Sequence, residues 1–133
     1  MRKFILTICA CLLLVTSSAH AAILKDDAGF SYVNGYNYLV FSAGATVNGI
    51  GSAYDLSSIH IVADNNSRFE FNVIEVDFRG RDGSIDSRHV ANFREDYGTG
   101  EIYRNGKPLG NYAQWGKTSR EIYYKMKSVA LSS

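Results

Sequence analysis

The chain has 133 residues, 46% of them apolar and 13% aromatic, with 14 Lys+Arg against 13 Asp+Glu. This is the composition of one globular domain, and 20% charged residues without an internal repeat exclude a disordered, fibrous or solenoid chain. A formal charge of +1 gives no broad attraction for nucleic acid, so a nucleic-acid partner is not expected.

Met1, Arg2 and Lys3 form a positive start, Phe4 to Val15 an apolar run, and Ala19-His20-Ala21 a small-x-small cleavage site. Residues 1–21 are therefore expected to be a cleaved secretory signal. The apolar run is too short to cross a bilayer as a mature span. A lipoprotein signal fits less well, because Cys9 follows Ile8 and Cys11 is followed by more apolar residues. Cleavage leaves residues 22–133 as a single domain, best defined over 52–131. Both cysteines depart with the signal, which removes any disulfide, thiolate metal site or cysteine nucleophile. Loss of Arg2 and Lys3 turns the net charge to −1. The expected location is the periplasm, the cell surface or the medium.

Along residues 22–133, turn residues punctuate short runs rich in β-branched and aromatic side chains, the pattern of antiparallel strands. Tyr36 to Phe41 reads as a strand and Ala43 to Ser52 as a mobile loop. Asp55-Leu56-Ser57-Ser58 reads as a turn whose side chains bond their own backbone. Ile59 to Val62 is a short strand that ends before Asp64-Asn65-Asn66.

Asp82-Gly83 tolerates the positive φ angles of a two-residue hairpin turn. Centring the turn there sets Arg79 opposite Asp86 and Asp77 opposite Arg88, and brings Ile74, Val76 and Phe78 against Ser87, His89 and Ala91. Phe69, Phe71 and Val73 have the opposite parity to Ile74, Val76 and Phe78. Either both faces are covered or a bulge lies near Val73, and the bulge is the better fit. A second turn centred on Thr99-Gly100 opposes Tyr97 to Ile102 and Glu95 to Arg104. The register one residue earlier would set Asp96 against Glu101, a like-charge pair. Asn105-Gly106 is a third turn.

The period then changes. Thr118-Ser119-Arg120-Glu121 is a capping box, and Ile122, Met126, Val129 and Ala130 recur at helical spacing, with Glu121 and Lys125 placed as an i,i+4 pair. The expectation is an α+β domain: a small antiparallel β-sheet of consecutive hairpins with a C-terminal amphipathic helix, about 119 to 131, packed on it.

Residues 22–133 contain two histidines, His60 and His89. His60 alternates with Ile59 and Ile61 and is expected to face solvent; His89 falls on the inferred apolar face and reads as a core histidine. No Gly-x-Ser-x-Gly elbow, HExxH or H-x-H spacing is present, so neither a serine hydrolase nor a zinc site is expected. Asp82 to Asp86 is no calcium loop, because Gly83 at the sixth position puts Phe78, Gly80 and His89 where carboxylates belong. A paired-carboxylate glycosidase would have to draw on Glu75, Glu95, Asp96 or Glu101. No cofactor is expected.

Nine tyrosines and Trp115 lie in residues 22–133, and Arg79, Arg81, Arg88 and Arg94 cluster in one hairpin. Tyr, Trp and Arg dominate binding hot spots, although tyrosine is also an ordinary strand residue. The inferred pairs absorb Arg79 and Arg88, leaving Arg81 and Arg94, with Tyr97, as the expected binding residues.

Asp55-Leu56-Ser57-Ser58-Ile59, an apolar strand, Phe93-Arg94-Glu95-Asp96-Tyr97, Tyr103 and a closing helix together resemble a group of small secreted bacterial proteins of uncharacterised function. The order of elements is similar to that of the surface-adhesin protein E family over roughly residues 53–131. That resemblance implies a small antiparallel sheet with helix and binding to host extracellular-matrix proteins; the two cysteines that tie sheet to helix in those adhesins have no counterpart here. The expected function is an exported, non-enzymatic binding or adhesin-like module with an extracellular or envelope protein as partner. The alternative is a small envelope hydrolase using a carboxylate or His89.

Overall fold

The computed structural model describes residues 23–42, 49–114 and 116–132. The strands are β1 (Ile23–Lys25), β2 (Ser31–Val33), β3 (Tyr38–Ser42), β4 (Ile50–Asp64), β5 (Arg68–Arg79), β6 (Ile85–Asp96), β7 (Ile102–Arg104) and β8 (Lys107–Pro108). A small hairpin, β9 (Ala113–Gln114) and β10 (Lys117–Thr118), leads into the helix α1 (Ser119–Ser132). Strands β1 to β8 form one sheet in sequence order, each antiparallel to the next. The fold is therefore α+β, an antiparallel sheet of consecutive strands closed by one helix. Among the described residues no helix is long and apolar enough to cross a membrane. The signal segment, Trp115 and residues 43–48 of the expected loop lie outside the described residues. Ile50 to Ser52, expected in that loop, instead open β4.

The sheet buries residues on both faces. Tyr32, Leu39, Tyr54, Phe69, Phe71, Val73, Ala91, Phe93 and Ile102 form one cluster with Ile122, Tyr123, Met126 and Ala130 of the helix. Val33, Val40, Ala53, Val76 and Phe78 form a second. This accounts for the parity change along β5: Phe69, Phe71 and Val73 serve the first cluster, Val76 and Phe78 the second. The β5–β6 ladder runs without a break through Val73, and the distortion sits in the neighbouring strand. In β4, Asp55 faces Ile74 and His60 faces Asn72, so Leu56 to Ile59 stand against Val73 alone.

That bulge is the turn expected at Asp55 to Ser58. Asp55 Oδ1 accepts the Ser57 N–H at 3.1 Å and the Ser57 hydroxyl at 2.6 Å. The Ser58 hydroxyl donates to the Asp55 carbonyl at 2.6 Å and accepts the Ile74 N–H at 2.7 Å.

Two hairpin registers differ from expectation, because each turn is a four-residue loop where a two-residue turn was expected. In the β5–β6 turn the Arg79 N–H donates to Ser84 O and the Gly83 N–H to Arg79 O, enclosing a loop of four residues, 80–83. In the β6–β7 turn the Asp96 N–H donates to Glu101 O and the Gly100 N–H to Asp96 O, enclosing residues 97–100. Gly83 and Gly100 each take the last loop position at φ +76°. The loop shifts the pairing by two residues and a bulge between Phe78 and Asp77 takes one back, so Asp77 faces Ser87, Val76 faces Arg88 and Glu75 faces His89, not the expected pairs. Ile74 meets Val90 and Phe78 meets Ile85, while Arg79 does reach Asp86, Nη2 to Oδ1 at 2.7 Å. Likewise Glu95 faces Ile102 and Phe93 faces Arg104. The like-charge opposition of Asp96 and Glu101 is tolerated because Asp96 Oδ1 turns to accept the Gly98 N–H at 2.9 Å. Asn105-Gly106 is a two-residue turn as expected, with φ +53° and +81° between paired Arg104 and Lys107.

The capping box forms: the Thr118 N–H donates to Glu121 Oε1 at 2.8 Å, and the Glu121 N–H to Thr118 Oγ1 at 3.1 Å. The expected Glu121–Lys125 pair does not appear. Lys125 Nζ lies 3.9 Å from Asp26 Oδ2, and Glu121 Oε2 lies 3.9 Å from Lys117 Nζ.

Candidate functional site

Successive rows of the sheet place Ser52, Asp77 and Ser87 side by side, then Tyr54, Glu75 and His89, and, past the Val73–Ala91 row, Phe93 beside Arg104. Strand parity fixes this strip on the face that carries the helix cluster. Both Asp77 oxygens are occupied, Oδ1 by the Ser52 hydroxyl and Oδ2 by the Ser87 hydroxyl, each at 2.8 Å. Those two bonds hold the Asp77 carboxyl below its ordinary value.

Glu75 is 7% exposed, and a carboxylate so enclosed needs compensating partners. Arg104 Nη2 donates to Oε1, and His89 Nε2 lies 3.0 Å from Oε2. The Arg104 Nε–H donates to the Tyr54 hydroxyl at 3.1 Å. A continuous chain therefore runs from Tyr54 through Arg104 and Glu75 to His89. Burial pushes the Tyr54 hydroxyl up, only partly opposed by the Arg104 charge, so it stays protonated while it accepts. His89 is half exposed at the outer end of this chain and is not a core histidine; the one-residue change of register brings it to Glu75.

Beside this chain lies a concavity of about 120 Å³. Its wall includes Phe41 of β3, Tyr54 of β4, Phe93 of β6 and Arg104 of β7. Leu109, Tyr112, Lys117, Ser119 and Ile122 complete it, from the segment after β8 and the start of α1. The Phe41 and Tyr54 rings stack at 4.1 Å between centroids and 14° between planes, and Phe93 meets Tyr54 edge-on at 5.5 Å. Tyr112 is 56% exposed. Chemically this is an aromatic wall with two cations and without a carboxylate of its own.

The residues expected to bind a partner do not converge. Arg94 is half-buried on the opposite face from Glu95, faces Glu70 and Tyr103, and lies 4.5 Å over the Tyr103 ring. Tyr97 belongs to the next loop, and its hydroxyl accepts from Lys127 Nζ of the helix at 3.0 Å. Arg81 is exposed in the loop 80–83 at the other end of the hairpin, roughly 40 Å away along a strand of this length at ~3.3 Å per residue. His60 is exposed in β4, as expected; it faces Asn72 of β5, whereas His89 faces Glu75.

Of the expected carboxylates, Glu95 is taken up by the helix: the Tyr123 and Tyr124 hydroxyls and Lys127 Nζ all donate to it. Asp96 and Glu101 sit at the turn. Among the described residues no group of three or more His, Cys, Asp or Glu is placed to hold a metal ion.

Reasoning from the sequence did not single out Phe41, Tyr54, Arg104, Tyr112 or Lys117, which come together only through tertiary pairing. One signal was present: Glu75 interrupts the apolar run Val73-Ile74-x-Val76, where a carboxylate requires a cation. Compared with known proteins, the chain matches no family model, no curated protein and no solved structure.

Proposed function

We propose that this chain is an exported, non-enzymatic binding module of the cell envelope or surface, and that its ligand enters the concavity between Tyr54 and Tyr112. The observation that carries this reading is the stacked Phe41–Tyr54 wall with Arg104 held in place beside it by Tyr54 and Glu75. Pockets of this kind combine apolar walls with a few fixed polar groups. The same reading takes α1 as an amphipathic helix packed on the sheet, which would keep Ser119 and Ile122 at the rim. An envelope or extracellular protein partner, as the adhesin-like resemblance implies, draws less support, because Arg81 is remote from Arg94 and Tyr97.

The test is a ligand-observed NMR screen of small molecules against the exported chain, followed by amide chemical-shift mapping. The expected outcome is hits that perturb Tyr54, Tyr112 and Lys117. Hits that map instead to Arg81 or Arg94 would overturn the pocket reading.

A second reading is favoured by one contact. His89 Nε2 at 3.0 Å from Glu75 is the geometry of a carboxylate-oriented imidazole, which a small envelope hydrolase would use as general base. Hydrolysis of an ester probe that vanishes in folded His89→Ala would support it, and equal rates in His89→Ala would remove it.

A further inference from the structure

We propose, building on the pocket reading above, that the ligand is a small planar aromatic carboxylate of about the size of benzoate. Three features of the concavity lead there. Its volume of about 120 Å³ is close to that of cavities, ~150 Å³, that hold a single benzene ring. Its wall offers the stacked Phe41–Tyr54 pair and the exposed Tyr112, which select a flat ring over a branched aliphatic group.

The third feature is charge. Arg104 has five N–H donors, of which the Nε–H serves Tyr54 and one on Nη2 serves Glu75, leaving others for a carboxylate. The Lys117 side chain is 18% exposed, with Nζ 4.5 Å from the centroid of the Phe30 ring. The carboxylate nearest it, Glu121, is 3.9 Å away, half exposed, and engaged through Oε1 by the Thr118 N–H. Lys117 thus carries a largely enclosed positive charge that a half-exposed carboxylate meets at 3.9 Å, at the long end of an ion pair, and it lines the cavity. A neutral ring fills the space but brings no anionic acceptor to Lys117 or to the remaining Arg104 N–H groups; an aliphatic acid brings the charge but does not suit the wall.

The experiment titrates the exported chain with benzoate and with benzamide, its neutral isostere, following amide shifts by NMR. Benzoate is expected to bind at least about tenfold more tightly, with the largest shifts at Tyr112 and Lys117. Lys117→Gln is expected to cost benzoate about tenfold and benzamide nothing, and Tyr112→Ala to weaken both alike. If benzamide binds as tightly as benzoate, or if folded Lys117→Gln binds benzoate like the native chain, the carboxylate assignment is wrong while the pocket reading stands. If neither compound shifts the cavity residues, the aromatic-carboxylate assignment is wrong, and the pocket reading is decided separately by where the hits of the wider screen map.

Discussion

Lys127 Nζ lies 2.8 Å from Glu95 Oε1, and this pair fastens α1 to the far end of β6. Glu95 is 8% exposed, and its remaining acceptor capacity is met by the Tyr123 hydroxyl at 3.0 Å and the Tyr124 hydroxyl at 3.2 Å. Lys127→Met leaves that carboxylate without its cation, at a cost of ~1.5–3 kcal/mol, whereas Tyr97→Phe removes only one hydroxyl acceptor of Lys127, at a cost of ~0.5–1 kcal/mol. Urea unfolding of the two variants checks the order.

The same pair sets two pH limits. Burial pushes the Glu95 carboxyl up, but hydrogen bonds from Lys127 and Tyr123 outweigh it and hold the group below its ordinary 4.5. Its contribution to stability is therefore complete above pH 4.5 and fades as pH falls through the lowered folded value. For Lys127, burial pushes the ammonium down, while bonds to Glu95 and Tyr97 outweigh it and raise it above 10.5. That contribution is complete below pH 10.5 and is lost as pH rises through the raised value. Glu95→Gln should flatten the acid limb of a stability-against-pH curve relative to the native chain, where Asp26 and Asp77, also lowered, continue to act.

Gly100 closes the β6–β7 loop at φ +76°, where an added Cβ would meet nothing within 4 Å. Space is not the constraint; backbone conformation is. Gly100→Ala should cost ~1–2 kcal/mol, and Gly100→Asn distinctly less, because asparagine visits the left-handed region more readily. Thermal melts of the two variants distinguish this from a packing effect.

Gly51 presents the reverse case. A Cβ there would lie 2.5 Å from Cζ of the Phe78 ring, which is fully buried in the second cluster. Gly51→Ala should destabilise the chain by ~1–3 kcal/mol through overpacking, and Phe78→Leu in the same chain should recover part of the loss. A double-mutant cycle in denaturant reads the coupling; strict additivity would mean that the two groups do not meet.

The sequence disclosed β3, the strands of the central hairpins, the helix with its capping box and the Asn105-Gly106 turn, because each depends on neighbours within a few positions, whereas β1, β2 and most of the long β4 were not read from it. The other two hairpins show where local reading stops. A residue-glycine pair serves equally as the centre of a two-residue turn and as the end of a four-residue loop, and only the second lets Gly83 and Gly100 be the sole positive φ of their loops. Charge pairing then misdirected the choice at Asp96 and Glu101, since Asp96 could satisfy itself on the Gly98 amide. One residue of register decided whether His89 lay among apolar side chains or against Glu75. The cavity was less legible still, since Phe41 and Lys117 lie far apart in the chain and meet only after six strands have paired.

The Ser58 hydroxyl has a kinetic meaning beyond its place in the β4 bulge. At that point the Ile74 N–H is held by a side-chain oxygen where a regular ladder would use a carbonyl. Its exchange with solvent deuterium is then gated by rotation of one serine, a local event that needs no parting of strands. Ser58→Ala should convert Ile74 into a fast-exchanging amide while Phe71 and Val73 stay slow, and Ser58→Thr should keep it protected. Strand β5 thus carries, opposite the bulge of β4, an amide whose exchange clock is set by a single hydroxyl.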